Sequence, residues 1–327
     1  MASSSKFQHL IGSFRKKFIL PGSKVVQWFP GHMQKGLLQI QAKLKSIDCI
    51  IEIHDARIPF SGRNLRLRDI INLRPHILLL NKVELTDLCA DRKKDILKKL
   101  KDQEVDSVFF TNLRKREHVD LLKSEVLPTA MQLIDSHPRY NREGIDEYNI
   151  LVVGVPNVGK STFINSLRAI QMKKSGKATT VGAKAGVTKS VLTKIKVNST
   201  PPVFVIDTPG IMPPKVPGLE IGMRLAACSC LPDQLVGQVN IADYILFWLN
   251  SRRYFDYVDF FELGAPSDNI LDVLAKIAVQ NRKIIKIRDM ATNKFVFRPN
   301  NDVAAQMFFT AFREGNLGKF VLDDDVC

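Results

Sequence analysis

The stretch Leu151-Val152-Val153-Gly154-Val155-Pro156-Asn157-Val158-Gly159-Lys160-Ser161 limits what this chain can fold into more than any other. An apolar run suited to a buried strand leads into a glycine-rich turn, and Thr162 to Leu167 then reads as the start of a helix. The spacing G-x-x-x-x-G-K-[ST] turns backbone N–H groups and a helix N-terminus toward one spot, which favours a phosphate there. Lys160 can reach the outer phosphates of a nucleotide and Ser161 can hold Mg²⁺, while Gly154, Pro156, Asn157, Val158, Gly159 and Thr162 complete the cradle. A bare strand-to-helix turn is the competing reading; the order of strand, loop and helix favours the nucleotide.

Further polar motifs fall where a parallel α/β sheet exposes its carboxyl edge. Ile47 to Ile53 reads as a strand that ends in His54-Asp55-Ala56-Arg57, and Ile77 to Leu80 as a strand that ends in Asn81-Lys82-Val83-Glu84. The second resembles the guanine-reading N-K-x-D of G domains, in which a carboxylate accepts from the ring N1–H and the exocyclic amine and the lysine stem packs over the base. Glu84 adds a methylene to the usual aspartate, and Asp87 is an alternative acceptor. Asp91 to Leu100 has helical spacing with lysines outward. Val105 to Phe110 reads as a strand leading to Thr111 and Asn112, a base-contacting loop in this architecture, and His118 to Leu133 supplies the next helix.

Beyond the cradle helix, Met172 to Lys189 has little hydrophobic period and suits a loop that orders around a ligand. Within it, Gly186-Val187-Thr188 offers a hydroxyl, that of Thr188, to complete Mg²⁺ coordination. Val191 to Val197 and Val203 to Ile206 read as strands, the latter ending in Asp207-Thr208-Pro209-Gly210. There Asp207 can hold the metal through water and the Gly210 N–H can sense a third phosphate. From Gly218 onward the pattern is helical (Leu219 to Cys230, Ile241 to Asn250, Asn269 to Val279, Asp302 to Phe312), with no second set of alternating strands. Arg252, Arg253, Arg282, Lys283, Lys286, Arg288, Lys294 and Arg298 are candidate phosphate contacts there. Asp323 to Asp325 form a short acidic tail with no evident role.

A net charge of +15 and a pI near 9.6 point to a polyanionic partner, nucleic acid or an anionic membrane surface, the competing reading being a merely soluble basic surface; the recurrence of cations throughout the chain favours a nucleic-acid partner. The first acidic residue is Asp48, and the serines, cations and phenylalanines of the first 18 residues match a mitochondrial transit peptide better than a secretory signal. The competing reading is a basic arm that binds RNA and stays attached. Five cysteines without a C-x-x-C pair suggest neither zinc nor a disulfide framework. Trp28-Phe29-Pro30-Gly31-His32-Met33 looks like a pinned turn, and by spacing alone His32 is structural more often than catalytic.

The motifs stand in an unusual order. Base reader precedes cradle, which precedes Thr188 and Asp207-Thr208-Pro209-Gly210, whereas ordinary G domains run cradle first and base reader last. The chain therefore resembles a circularly permuted GTPase. With Phe29-Pro30-Gly31-His32-Met33 in front, Asp55-Ala56-Arg57 after the first strand and helices behind, it is similar to the RbgA/YlqF family of ribosome-assembly GTPases, and its presequence-like start places it nearest the mitochondrial members. The resemblance implies an α/β fold: residues 1–27 a presequence or basic arm, 28–216 a circularly permuted P-loop GTPase domain, and 217–327 an all-helical RNA- or ribosome-binding domain. It implies GTP/GDP, Mg²⁺ and K⁺ as ligands, the K⁺ held partly by Asn157. Ile211 stands where many GTPases keep a glutamine to orient water, and the resemblance gives that task to His32. The implied partner is the mitochondrial large ribosomal subunit and its rRNA, in the matrix, with peripheral inner-membrane contact left open and no obligate oligomer. The alternative is a nucleotide-dependent switch at a membrane or signalling partner with little turnover.

Overall fold

The computed structural model describes residues 14–20, 41–63, 74–103, 105, 107–139, 142–174, 194–208, 216, 218–288 and 293–323. Six strands, β1 (Cys49–Asp55), β2 (His76–Asn81), β3 (Ser107–Thr111), β4 (Tyr148–Val153), β5 (Lys194–Ser199) and β6 (Pro202–Asp207), form one sheet in the order β3-β2-β1-β4-β6-β5. All pairings are parallel except that of β5 with β6. Every residue of β1 and β2 is buried, as strands covered on both faces require, and this explains their unbroken apolar runs. The edge strand β5 keeps Lys194 and Lys196 in solvent, which discourages further strand pairing. β4 lies between β1 and β6, and the chain leaves for opposite sides of it. The result is a switch point in strand order at the carboxyl edge, where α/β sheets bind ligands.

Helix α1 (Ala90–Lys101) packs Ile96 and Leu100 against Ala56, Leu78 and Leu80 and leaves its lysines outside. The predicted helix over His118 to Leu133 is divided into α2 (Arg116–Leu121) and α3 (Leu127–Asp135) by a wide π-turn, Leu122–Val126. Pro128 follows that turn, and its missing N–H removes one regular helical bond. Helix α4 (Lys160–Lys174) follows β4 through the glycine-rich loop.

Two buried ionic clusters brace the sheet. At the amino edge Asp48 accepts from the Nε of Arg139 (3.2 Å) and of Arg142 (2.9 Å) and from the backbone N–H of Asn149 (2.7 Å). Within β1, Glu52 accepts from His54 Nε2 (2.8 Å) and from Arg63 (3.3 Å), with His76 Nε2 at 3.1 Å. Burial pushes the Glu52 carboxyl up, but His54, His76 and Arg63 together hold it well below the usual carboxylate range.

The chain divides into two compact units, one of residues 28–221 with 320–327, the other of 1–27 with 222–319. The second unit contains most of α5 (Leu219–Ala227), and all of α6 (Asp233–Val236), α7 (Gln238–Ser251), α8 (Asp256–Phe260), α9 (Ile270–Gln280) and α10 (Asn301–Glu314). Residues 241–250 of α7 are buried all round, which makes it the central helix of this unit. Part of the basic N-terminal segment is built into the same core. Phe18 is 4% exposed and meets Tyr244 edge-on at 5.3 Å. The Arg15 guanidinium donates to Asp243 (2.7 Å) and its backbone N–H to Asp268 (2.7 Å). The C-terminal region is helical, as its pattern predicts, and carries in addition an antiparallel ribbon, β7 (Ile284–Arg288) and β8 (Phe295–Pro299), where the sequence reading expected no strands. Each strand is only five residues long; β7 carries cations at alternate positions, Lys286 and Arg288, and β8 is cut short by Arg298 and Pro299, so neither shows a clear apolar alternation. Among the described residues no helix is long and apolar enough to cross a membrane.

Replacing Glu52 by alanine leaves two imidazoles and a guanidinium without their buried acceptor, and a loss of about 3–5 kcal/mol in urea unfolding is expected. The carboxyl is depressed in the folded state, so its contribution is complete above the ordinary carboxylate value. The difference between wild type and variant should therefore shrink as the pH drops below about 4.

Candidate functional site

The carboxyl ends of β1, β2, β3, β4 and β6 bring Asp55, Asn81, Thr111, Gly154 and Asp207 to one edge of the sheet. Gly154, at φ +148°, turns the chain off β4 so tightly that a Cβ would run into the Ile53 carbonyl of β1. At Gly159, φ +110°, a Cβ would run into the Asn81 side chain. Both glycines are therefore demanded by close approach and by backbone conformation together. Helix α4 starts at Lys160, and the Phe163 N–H donates to the Gly159 carbonyl at 2.9 Å. Ser161 and Thr162 stand exposed in its first turn. The buried Lys160 ammonium donates to the carbonyls of Gly154 (3.1 Å) and Val155 (2.8 Å), which fixes it over the mouth of the loop. Pro156 is half-buried, Val158 buried, and Asn157 exposed in the left-handed conformation, φ +60°.

Asn81 ties the cradle to the loops on its other side. Its Nδ2 donates to the Val158 carbonyl (2.8 Å), and its Oδ1 accepts from the Leu113 N–H (3.1 Å), with Thr111 Oγ1 at 3.5 Å. A primary amide has two N–H groups, and the bond to Val158 uses one. Asn112 is buried and closes its own turn by accepting from the Arg114 N–H (3.1 Å).

Lys82 sits in the left-handed conformation, φ 67°, and its ammonium lies 2.9 Å from Asp55 Oδ2. Asp55 is itself fully gripped: Oδ1 accepts from the Arg57 N–H (3.1 Å) and Nε (2.9 Å), and Oδ2 from Nη2 (2.8 Å). Burial pushes this carboxyl up, but Arg57 and Lys82 more than offset it and hold it well below the ordinary range. The lysine stem is thus anchored at its far end. Beside it, the Oε2 atom of Glu84 is buried and has no hydrogen-bond partner among the described residues. A buried acceptor is costly to leave unpaired, and a ligand carrying N–H donors would satisfy it. Asp87, the alternative acceptor, pairs instead with Arg92 at 2.6 Å on the surface.

Asp207 closes the edge at the end of β6. Burial raises its carboxyl above the usual value, opposed by Lys160 and by the Thr208 N–H. Thr208 Oγ1 donates to the Val152 carbonyl (2.7 Å) and holds this end of β6 to β4. His32, Thr188 and Gly210 lie outside the described residues, as do the rest of Phe29 to Met33 and residues 175–193.

Of two further participants, the sequence shows one without its partners and hides the other. Asp55 was visible as a carboxylate two residues before an arginine at a strand end, though nothing in that pattern names Lys82 as its second partner. The other is Asp323, which is buried and accepts from the N–H groups of Phe60 and Ser61 (2.8 Å each) and from the Ser61 hydroxyl. The neighbouring Leu322 N–H donates to the Arg57 carbonyl (2.7 Å), and the Phe320 N–H to the Leu85 carbonyl (3.1 Å). Residues 320–323 thus strap the turns that carry Arg57 and Glu84. A run of three aspartates gave no signal of which one would be buried.

Known proteins are similar to this chain over most of its length. A family model described as "50S ribosome-binding GTPase" matches residues 149–289. "Mitochondrial ribosome-associated GTPase 1" of Mus musculus is 44% identical over 96% of this chain and 95% of its own length. "Ribosome biogenesis GTPase A" of Bacillus licheniformis is 32% identical over 83% of this chain and 96% of its own. The crystal structure of GNP-bound YlqF from T. maritima shares the fold at a TM-score of 0.53, with 22% identity over 87% of this chain and 95% of that one.

Gly159→Ala should weaken binding of a fluorescent guanosine diphosphate by about tenfold or more, since it adds backbone strain of about 1–3 kcal/mol and displaces Asn81. Asp323→Ala orphans three donors, and we expect it to cost about 1–3 kcal/mol of unfolding free energy and to weaken the same nucleotide without touching the phosphate cradle. Equilibrium titration beside urea unfolding checks both.

Proposed function

The chain belongs to the mitochondrial ribosome-associated GTPase 1 family, and on that footing we propose that it binds the mitochondrial large ribosomal subunit during assembly and leaves when its GTP is hydrolysed. It is a mitochondrial, guanine-nucleotide-binding GTPase of ribosome assembly. The finer steps are our reading of its residues.

The observation that carries the guanine assignment is the buried Oε2 of Glu84, without a hydrogen-bond partner among the described residues, next in the loop to the anchored Lys82. Guanine offers two N–H donors on one edge, which a carboxylate accepts together. The Lys82 stem packs over the base, and the remaining N–H of Asn81 faces its imidazole side. Thr111 and Asn112 shape the same pocket. At the other end the loop N–H groups, the N-terminus of α4 and Lys160 neutralise the phosphates. Mg²⁺, held by Ser161 and Thr188 and through water by Asp207, would spread the charge that develops on the transferred phosphoryl group. K⁺ beside Asn157 would add positive charge at the same place. The Gly210 N–H senses the third phosphate, and His32 positions the attacking water in place of the absent glutamine.

The helical unit supplies the contact with ribosomal RNA, and the protein works in the matrix with any contact at the inner membrane peripheral. If a leader is cleaved, it ends before Phe14, because Phe18 is buried in the core of that unit and Arg15 pairs with Asp243 of its central helix.

Hydrolysis measured with purified protein, in K⁺ and in Na⁺, with and without mitochondrial large subunits, tests this function. We expect slow turnover alone, a preference for K⁺, and acceleration on the subunit. His32→Ala should lower the stimulated rate by about 10²-fold with nucleotide affinity unchanged. Activity indifferent to subunits would replace the assembly role with a free-standing switch, and a normal stimulated rate in His32→Ala would remove the histidine from the mechanism.

A further inference from the structure

The ribbon β7–β8 has two different faces. Ile287 and Val296, paired across the strands, are half-buried, and β8 packs against α9. On the opposite face the register sets Lys286 opposite Phe297 and Arg288 opposite Phe295. Both rings stand in solvent, Phe295 61% exposed and Phe297 73% exposed. The Lys286 ammonium lies 4.5 Å from the centre of the Phe295 ring.

A phenylalanine gains nothing from water, and two on one face of a five-residue strand need a reason. Their neighbours supply it. Between residues 282 and 299 the chain has six cations and one anion, Asp289. Rings at positions i and i+2 of a strand stand about 7 Å apart on one face. Each offers a π-face on which a base can stack, and the intervening cations meet the backbone charge of the same strand of nucleic acid. A basic, aromatic surface could also serve a bilayer, but there the apolar residues would lead and the cations lie behind. Here cations and rings share one face, and the segment joining the strands is polar in sequence, with Asp289, Thr292, Asn293 and Lys294.

We propose that the exposed face of β7–β8 is a stacking platform for unpaired RNA, with Phe295 and Phe297 each taking one base and Lys286 and Arg288 the adjoining phosphates. This rests on the ribosomal-RNA reading above and deepens it: the ribbon selects single-stranded segments, not duplex.

The test is fluorescence anisotropy of the full chain with a labelled single-stranded 12-mer of mixed A and U, about one strand's reach past the ribbon, and with a duplex RNA of equal length, across a salt series. The double variant Phe295→Leu/Phe297→Leu keeps apolar bulk but loses the π-faces. It should bind the single strand about tenfold or more weakly, leave duplex affinity unchanged, and keep the wild-type rate of GTP hydrolysis and the wild-type unfolding curve. Lys286→Gln/Arg288→Gln should lower the magnitude of the salt slope for the single strand by about 1.4. Unchanged single-strand affinity in the leucine variant overturns the platform, as does an equal loss for duplex, or a loss of binding to phosphatidylserine vesicles with RNA binding intact. If the wild-type chain binds neither the 12-mer nor the large subunit, the ribosomal reading itself falls. If it binds the subunit and both variants do so equally without any single-strand defect, only the platform falls.

Discussion

Everything at the nucleotide edge depends on one side-chain amide. Asn81 joins Val158 of the cradle to Leu113 of the neighbouring loop, segments that lie 77 and 32 positions away in sequence. The absence of a side chain at Gly159 is what lets the amide come so near. Two hydrogen bonds of this kind are modest in energy, about 1 kcal/mol each net, but they are geometric constraints first. They set the distance between the glycine-rich loop and the loop after β3, and on the proposed function a nucleotide must match that distance.

This explains why the permuted chain order does no damage. A G domain requires its strands to lie in a fixed spatial order with their carboxyl ends at one edge, and β3-β2-β1-β4-β6-β5 satisfies that whichever strand comes first. Loops that converge on Asn81 are held by the bond and not by chain continuity. The permutation shifts instead where the chain departs. After β6 it runs into α5 and the helical unit, so the segment following Asp207 is covalently joined to a different body of the protein.

The sheet was legible because strands buried on both faces must be apolar throughout, and the cradle because few residue types permit its backbone. Asn81, Lys82 and Glu84 stood out in the sequence by their restricted chemistry, and their role in reading guanine is the proposal made above. What stayed hidden depends on tertiary partners. Lys82 looks identical in sequence whether its ammonium is free or held by Asp55, and Asp323 reads like its solvated neighbours. Arg15 and Phe18 have the composition of a disposable leader, yet find Asp243 and Tyr244, residues more than 200 positions away. The ribbon was missed for a different reason: two five-residue strands, one with cations at alternate positions and one ending in Arg298-Pro299, satisfy no hydrophobic period strongly enough to be noticed.

The strap of residues 320–323 has a temporal side. Asp323 meets Ser61 across 262 positions, and contacts that remote form late because the loop must first be closed against chain entropy. Residues 222–319 between them are largely helical, and contacts within a helix are local and carry no such closure cost. The turns bearing Arg57 and Glu84 are therefore braced by one of the costliest closures in the chain. On the proposed function, a guanine nucleotide that needs those turns in place binds the strapped state alone, so nucleotide and strap stabilise one another by mass action.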